Sequence, residues 1–411
     1  MPNKRSKKQQ FVIFMQKIVF LHVVIFVLRN FYYLIEKLVR KDKRIALFFL
    51  TEKYYYDNSK YLFEYMRQKD DFNSILFTAN RSLYTALQEK FPSEVVYAWS
   101  LKGFFLFLRT KNVIISYGTS AAPFFPYYLH EKCKNIIYLG HGTPVKRIGF
   151  QTNVWNEYGK SYQLQKYSYL TACSDIDSLM LASGFRATLD RIWITGMPRY
   201  DYLLRENNKS DELLEKNPYL DKKIILYAPT WRDGGSNTQF FPFDDFSTEL
   251  LDKFLIKNDV HLLIRGHKES VNRKSLDRDK DLFSLDRVIK AEQDAFPDVT
   301  ELLPFIDILI TDYSSILVDF LLFDRPIAFI PYDLEDYNQN KGLLLDFEQY
   351  TPGIKIYSMS DFILGMQAYL DDSKLDCEWR ADVKKLYHKF DGNGNCERIV
   401  RCIDNLRKNE S

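Results

Sequence analysis

The 411-residue sequence predicts an α/β protein with two Rossmann-like domains that face a central cleft. Short apolar runs of strand type alternate with helical segments, a pattern typical of βαβ units and a parallel sheet. The alternation occurs twice, on either side of a polar stretch, and the chain is long enough for two domains. Polar motifs follow five of the predicted strands, which is where parallel sheets bind ligands.

The first Rossmann-like domain is predicted over residues 44–205. Helices are predicted for "YYYDNSKYLFEYMRQ" and "LYTALQEK". The predicted strands are "RIALFFL", "NSILFT", "EVVYAW", "NVIISYG", "NIIYLGHG", "YLTACSD" and "RIWITGMP".

A polar linker over residues 206–218 separates this domain from a second one, predicted over residues 219–411. Its helices are predicted at "DDFSTELLDKFLI" and "SILVDFLLF", with closing helices at "CEWRADVKKLYHKF" and "NCERIVRCIDNLRK". The predicted strands are "KKIILYAPTWRD", "VHLLIRGHK", "LFSLDRVI", "IDILITDYSS" and "RPIAFIPYD".

Residues 1–43 form a basic and apolar segment that is predicted to associate with a membrane. Four basic residues between Lys4 and Lys8 precede the apolar run "FVIFMQKIVFLHVVIFVL", which contains Lys17. No small-residue cleavage site follows, so a signal peptide is not favoured. A helix lying in the membrane interface is the preferred interpretation, while a spanning helix and a buried helix of the fold stay open.

Charge and cysteine content exclude some functional classes. The net charge is only +3, which does not suggest a nucleic-acid partner. The 5 cysteines are scattered and lack CxxC spacing, which argues for a reducing compartment and against a structural zinc site. The run "DRDKD" has a DxD-like spacing of aspartates, but it is predicted to lie in a charged loop and is weak evidence for a metal site. No cofactor is expected.

The motifs in the second half of the chain are suited to phosphate. Ser314 and Ser315 would lie at a helix N-terminus, where free N–H groups and the helix dipole favour a phosphate, although simple N-capping is the alternative. Asp319, one turn later, would accept hydrogen bonds from a ribose or be solvated. The cationic candidates are Arg265, His267 and Lys268 in "RGHK", and Arg232 in "APTWRD".

The motifs in the first half place His141 between two glycines, in "GHGTPVK". Imidazole is the side chain whose ordinary pKa suits proton abstraction near neutrality, so His141 is the candidate base. Lys146 would steady an anionic substrate. Arg199 and Asp201, in "GMPRYD", would either contact the substrate or pair as a structural clamp between domains.

Together, "HGTPVK", "GMPRYD", "YAPTWRD", "RGHK" and "TDYSSILVDF" resemble the CDP-glycerol glycerophosphotransferases of teichoic acid synthesis, over about Leu139 to Tyr332. The resemblance implies a GT-B-like fold, peripheral association with the cytoplasmic face of the cell membrane, and transfer of glycerol phosphate from CDP-glycerol to a lipid-linked acceptor with release of CMP. CDP-ribitol is the alternative donor.

The resemblance also implies roles for individual residues. His141 matches the proposed base, and His267 matches the histidine beside the pyrophosphate. The expected donor-binding residues are Arg232, Arg265, Thr311, Ser314, Ser315 and Asp319. The residues expected to position the acceptor are Gly142, Thr143, Lys146, Arg199 and Asp201.

Two other functional classes stay open at this point. A sugar transferase or epimerase of GT-B type that uses a UDP-sugar would share the phosphate motifs. A non-catalytic membrane scaffold would not need His141 and His267, so their presence argues against it. The sequence does not decide between a primer transferase and a polymerase.

Overall fold

A computed structural model describes residues 30–50, 54–118, 132–152, 167–230, 240–266 and 277–409. It contains two parallel β-sheets, each flanked by helices, as expected for two Rossmann-like domains. Residues 1–29 of the predicted membrane-associating segment lie outside the described residues. In the ranges just given, no helix has the length and apolar character needed to cross a bilayer.

The first sheet has seven strands in the order β3-β2-β1-β4-β5-β6-β7. All its neighbouring strands pair in parallel. The strands, numbered along the chain, are Asp42–Leu50, Asn73–Thr78, Val95–Tyr97, Thr110–Ile115, Asn135–Tyr138, Tyr169–Ala172 and Ile192–Ile194. The order reverses between β1 and β4, which places a topological switch point there.

The second sheet has six strands in the order β10-β9-β8-β11-β12-β13, also all parallel. Its switch point lies between β8 and β11. The strands are Lys223–Tyr227, Val260–Ile264, Val288–Lys290, Ile308–Thr311, Ile327–Phe329 and Ile354–Lys355. The predicted two-domain α/β fold is therefore confirmed.

The helices connect successive strands and cover both faces of the sheets. In chain order, α1 to α16 span residues 30–38, Asp57–Met66, Arg81–Lys90, Leu101–Arg109, Asp175–Phe185, Pro198–Leu203, Asp211–Lys216, Thr248–Asn258, Asp277–Leu282, Val299–Leu302, Ile316–Phe320, Leu334–Asn340, Phe347–Tyr350, Met359–Asp371, Cys377–Tyr387 and Asn395–Asn409. Short 3-10 helices span Gly149–Gln151, Leu189–Arg191, Pro218–Asp221, Leu303–Phe305 and Leu321–Phe323.

One predicted strand was wrong over most of its length. The run "LFSLDRVI" begins at the end of helix α9, and only its last two residues belong to β10. Apolar residues at 282, 283 and 285 gave the run a strand-like appearance, but Leu282 is buried as the last residue of a helix. Strand β13 was not predicted, nor were nine of the helices, including α4, α5 and α14. The run "DRDKD", interpreted as a charged loop, forms most of another of these, helix α9.

The last helix, α16, packs on the first sheet although it follows the second. Its residues Cys396, Ile399 and Ile403 share a buried cluster with β1, β2 and helix α2. The Oδ1 atom of Asp201 accepts hydrogen bonds from the backbone N and Nδ2 of Asn395, at 2.9 and 2.7 Å, and its Oδ2 accepts one from the N of Cys396 at 2.8 Å. Asp201 therefore caps α16, while the predicted domain limits stay a prediction.

We expect Asp201→Ala to lower the free energy of unfolding by about 1–3 kcal/mol, because it leaves the start of α16 without its carboxylate partner. Urea unfolding measures the change. Asp211→Ala, in the exposed first turn of α7, is the matched control and should cost less than about 0.5 kcal/mol. Equal effects of the two variants would contradict the capping role.

Candidate active site

The predicted motifs lie at the carboxyl ends of their strands, where the two domains meet. The loop after β5 carries His141, helix α6 after β7 carries Arg199, and the turn after β11 carries Ser315. An ideal Cβ on Gly142 of the first domain would lie 2.6 Å from the Oγ of Ser315 of the second. The two sets of loops therefore touch, and they form one cleft.

Arg199 is the buried centre of this contact. Its Nη1 donates to the Oδ1 of Asp57 at 2.8 Å and to the carbonyl oxygen of His141 at 3.1 Å. Its Nη2 donates to the Oδ1 of Asp319, in the second domain, at 2.8 Å. The side chain is only 5% exposed. Of the two alternatives for Arg199, the structure supports a clamp between domains, although its partners are these aspartates rather than Asp201.

The charges around Arg199 depend on one another. Burial lowers the pKa of Arg199, but Asp319 and Asp57 more than offset this, so the pKa lies well above its ordinary value. Burial raises the pKa of Asp319, and Arg199 opposes that shift. Asp319 is therefore a buried ion-pair partner and not a solvated side chain. A ribose contact from Asp319 stays a prediction, and it would have to compete with this ion pair.

His141 lies beside this ion-pair network with its ring at the cleft surface. The ring stacks on that of Tyr117, with centroids 4.9 Å apart and an angle of 14° between the planes. The residue is exposed to solvent, yet the surrounding protein atoms remove much of its hydration. This desolvation lowers the pKa of His141, while Asp57 opposes the shift and Arg199 and Lys146 reinforce it. The imidazole is therefore neutral, and able to accept a proton, at and somewhat below neutral pH.

The glycines beside His141 shape the loop and its contact with the second domain. Gly142 allows Ser315 of the other domain to approach, and Gly140 adopts a left-handed φ of 70° that bends the loop. The side chain of Asn58 holds this bend by donating from Nδ2 to the carbonyl oxygen of Gly140 at 2.9 Å.

Two other residues of the loop support its position. The fully buried Thr143 donates from Oγ1 to the Sγ of Cys173 at 3.3 Å, so its hydroxyl points into the core. Lys146 forms an isolated antiparallel bridge with Leu343 of the second domain. In this structure the backbone on either side of His141 is therefore fixed by both domains.

Of the residues predicted to bind the donor, Thr311 makes a structural hydrogen bond, whereas the two serines stay half-buried near the start of helix α11. Thr311 is buried and donates from Oγ1 to the carbonyl oxygen of Ala228 at 2.8 Å, which joins the ends of β11 and β8. Ser314 and Ser315 are half-buried, and Ser315 makes no side-chain capping bond to helix α11. The N-capping alternative is therefore wrong for Ser315, and its hydroxyl faces the Gly142 loop.

Arg265 is held by the backbone of its own domain. Its Nη1 donates to the carbonyl oxygens of Ala291 and Phe296, at 2.8 and 2.9 Å, and burial lowers the pKa of the guanidinium. Arg232 and His267, the other predicted donor residues, lie outside the described residues, as does Lys268.

Sequence reasoning missed Asp57 and Tyr117. Asp57 begins helix α2 with a left-handed φ of 65°, a strained conformation of the kind that occurs at functional sites. One available signal was position, because Asp57 follows β1 and Tyr117 follows β4, the strands on either side of the switch point. "YYYDNSK" had been interpreted only as the start of a helix.

Comparison with known proteins gives concordant matches. Residues 31–405 match the family model described as CDP-Glycerol:Poly(glycerophosphate) glycerophosphotransferase. A teichoic acid glycerol-phosphate transferase of Staphylococcus aureus is 31% identical over 73% of this chain and 77% of its own length. A teichoic acid poly(glycerol phosphate) polymerase of Bacillus subtilis is 27% identical over 88% of this chain, which spans about half (49%) of that relative. A structure of the wall teichoic acid polymerase TagF superposes with a TM-score of 0.72 at 23% identity, over 99% of this chain and all of that one.

We expect Arg199→Met to lower the free energy of unfolding by about 3–5 kcal/mol, because it leaves two buried carboxylates without a cation. Combining it with Asp57→Asn and Asp319→Asn should recover part of the loss, since no buried charge is then unpaired. The matched control is Lys216→Ala, which breaks an exposed ion pair with Glu212 and should cost less than about 1 kcal/mol. Urea unfolding compares the variants, and an Arg199→Met protein as stable as the control would refute the clamp.

Proposed function

Because this chain belongs to the CDP-glycerol:poly(glycerophosphate) glycerophosphotransferase family, we propose that it transfers glycerol phosphate from CDP-glycerol to a lipid-linked or polymeric acceptor and releases CMP. The acceptor belongs to teichoic-acid-like or capsule polymer synthesis. The observation that most supports this proposal is the contact of Gly142 with Ser315. This contact brings a neutral histidine and a helix N-terminus suited to binding phosphate to opposite walls of one cleft.

In this proposal His141 is the general base. The acceptor hydroxyl oxygen attacks the phosphorus that bears glycerol, and its proton passes to a ring nitrogen of His141. The bond from that phosphorus to the bridging oxygen breaks, and the oxygen leaves with the electron pair as part of CMP. Stacking on Tyr117 and a hydrogen bond to the backbone of Ser116 fix the orientation of the ring.

The second domain holds the donor. The start of helix α11, with Ser314 and Ser315, binds the pyrophosphate through N–H and hydroxyl groups. Arg232, Arg265 and His267 stabilise charge on the departing CMP. Catalysis of this kind depends on positioning and electrostatic stabilisation rather than on a covalent intermediate with the protein.

The first domain, over residues 44–205, binds the acceptor, and residues 219–411 bind CDP-glycerol. The protein works as a peripheral protein at the cytoplasmic face of the cell membrane, because a lipid-linked acceptor is presented there. CDP-ribitol is the nearest alternative donor, since its pyrophosphate and cytidine are the same and only the polyol differs.

The first test of this proposal is donor choice. The full chain is incubated with a lipid-linked primer and with CDP-glycerol, CDP-ribitol or a UDP-sugar, and released nucleotide is measured by chromatography. We expect CMP from CDP-glycerol. Acceptor-dependent turnover of a UDP-sugar alone would overturn the proposal, and turnover of CDP-ribitol alone would change the polyol.

The second test addresses the base. We expect His141→Ala to lower CMP release by about 10²–10⁴-fold while CDP-glycerol still binds in a calorimetric titration. The rate should fall only below the ordinary histidine pKa of 6.5, because the pKa of His141 is lowered and the base stays unprotonated above it.

Two variants should shift the acidic limb of the pH–rate profile, where CMP release falls as the pH is lowered, in opposite directions. Asp57→Asn removes a charge that raises the pKa of His141, so the limb should shift to lower pH. Lys146→Met removes a charge that lowers the pKa, so the limb should shift to higher pH. A limb that stays in place in both variants would show that His141 is not the titrating base.

A further inference from the structure

A recess at the carboxyl edge of the first sheet is lined by three tyrosines. Tyr54 and Tyr56 follow strand β1 and Tyr117 follows β4, so the recess lies at the switch point of this sheet. The buried residues Ser59 and Ser116 and the apolar end of β1 complete the lining that the described residues provide. We call the feature lined by these three tyrosines and two serines the tyrosine recess.

The tyrosine recess lies beside the candidate base. The ring of Tyr117 lines the recess and also stacks on the ring of His141. The ring centroid of Tyr56 lies 6.0 Å from that of Tyr117, with an angle of 60° between the planes, and the two hydroxyls are hydrogen-bonded at 2.8 Å. The two rings therefore form angled walls, and a group bound against them lies close to the imidazole.

The two serines supply a hydrogen-bond donor to this recess. Their Oγ atoms lie 2.7 Å apart, and the Oγ of Ser116 also accepts the backbone N–H of Ser59 at 3.0 Å. Two hydroxyls that bond to each other use only one of their two hydrogens, so the other hydrogen of the pair is left to donate to a ligand or to water. Both serines are buried, where an unused donor is costly.

The charges around the tyrosine recess disfavour an anionic ligand. None of the described residues that line it carries a charge. The hydroxyl of Tyr54 donates to Asp294 of the second domain, and the hydroxyl of Tyr117 is hydrogen-bonded to Asp57. A phosphate bound here would lie near these carboxylates, and no side chain of the described lining would offset its charge. The recess therefore fits an uncharged ligand.

Aromatic walls with hydroxyl groups are suited to a sugar ring. The C–H groups on one face of a pyranose bury apolar surface against an aromatic ring, while its hydroxyls exchange hydrogen bonds with serine and tyrosine hydroxyls. A terminal glycerol phosphate presents less C–H surface and carries a charge. Sites that bind small molecules combine a largely apolar wall with a few placed polar groups in the same way.

We propose that the tyrosine recess binds an uncharged sugar ring of the acceptor, so that the hydroxyl presented to His141 belongs to a sugar and not to a terminal glycerol phosphate. That the bound sugar is the acceptor rests on the proposed function, whereas sugar binding in the recess does not.

Saturation-transfer NMR on the full chain tests binding without any reaction. The probes are the methyl glycosides of hexoses and of N-acetylhexosamines, and the methyl ester of glycerol phosphate. We expect saturation transfer to the C–H protons of at least one glycoside. Tyr56→Leu should remove most of this signal, and Tyr56→Phe should keep it because the ring remains. Tyr84→Leu, which removes a half-buried ring that packs on Tyr97 of the edge strand β3, is the matched control and should also keep it.

CMP release from CDP-glycerol tests the use of the bound sugar as acceptor. With the glycoside that gives the strongest saturation transfer, we expect Tyr56→Leu to raise the KM for this acceptor about 10-fold, the loss expected for one aromatic contact. The KM for CDP-glycerol and the acidic limb of the pH–rate profile should not change. A general disturbance of the cleft would move all three quantities, and Tyr84→Leu should move none.

Absence of saturation transfer to every glycoside would overturn the proposal, as would a Tyr56→Leu protein that behaves like Tyr84→Leu in both experiments. If wild type releases no CMP with any acceptor, the proposed function fails and the NMR result still decides whether the recess binds a sugar. If CMP is released with the methyl ester of glycerol phosphate but with none of the glycosides, the proposed function stands and the sugar acceptor is wrong.

Discussion

The arrangement of the cleft depends on the buried ion pairs of Arg199 with Asp57 and Asp319. A guanidinium this far from water is tolerated only when carboxylates and carbonyl oxygens surround it. Here the partners come from three segments: the start of helix α2, the His141 loop and helix α11 of the second domain. The requirement to satisfy one cation therefore fixes the candidate base relative to the domain that would hold the donor.

Other contacts across the domain boundary support the same closed arrangement. The Nζ of Lys60 lies 3.2 Å from the Oδ2 of Asp298, and the hydroxyl of Tyr61 donates to the same oxygen at 2.7 Å. One buried cluster contains Val145, Tyr200 and residues of the second sheet, so the boundary is packed like a core. This packing resists separation of the domains, and an opening motion would have to break it together with the ion pairs.

The environment of the cleft keeps the imidazole of His141 neutral at neutral pH. His141 keeps solvent access for a substrate but loses enough hydration that its pKa falls, and the charge of Asp57 limits the fall. In the proposed function, the first domain would carry both the candidate base and the acceptor site, and the second domain would bind the donor.

The sequence by itself determined the two-domain α/β fold, most strands, and the positions of the polar motifs at strand ends, because hydrophobic periodicity is a local property. It did not predict β13, which is two residues long, or helices such as α5, whose apolar residues lie on all sides and show no stripe. Only the tertiary structure decided the partners of the motif residues. Asp57 and Asp319 lie 142 and 120 positions from Arg199, and Thr143 turned inward to Cys173. Such pairings depend on which loops meet after both sheets have formed, and no local pattern records that.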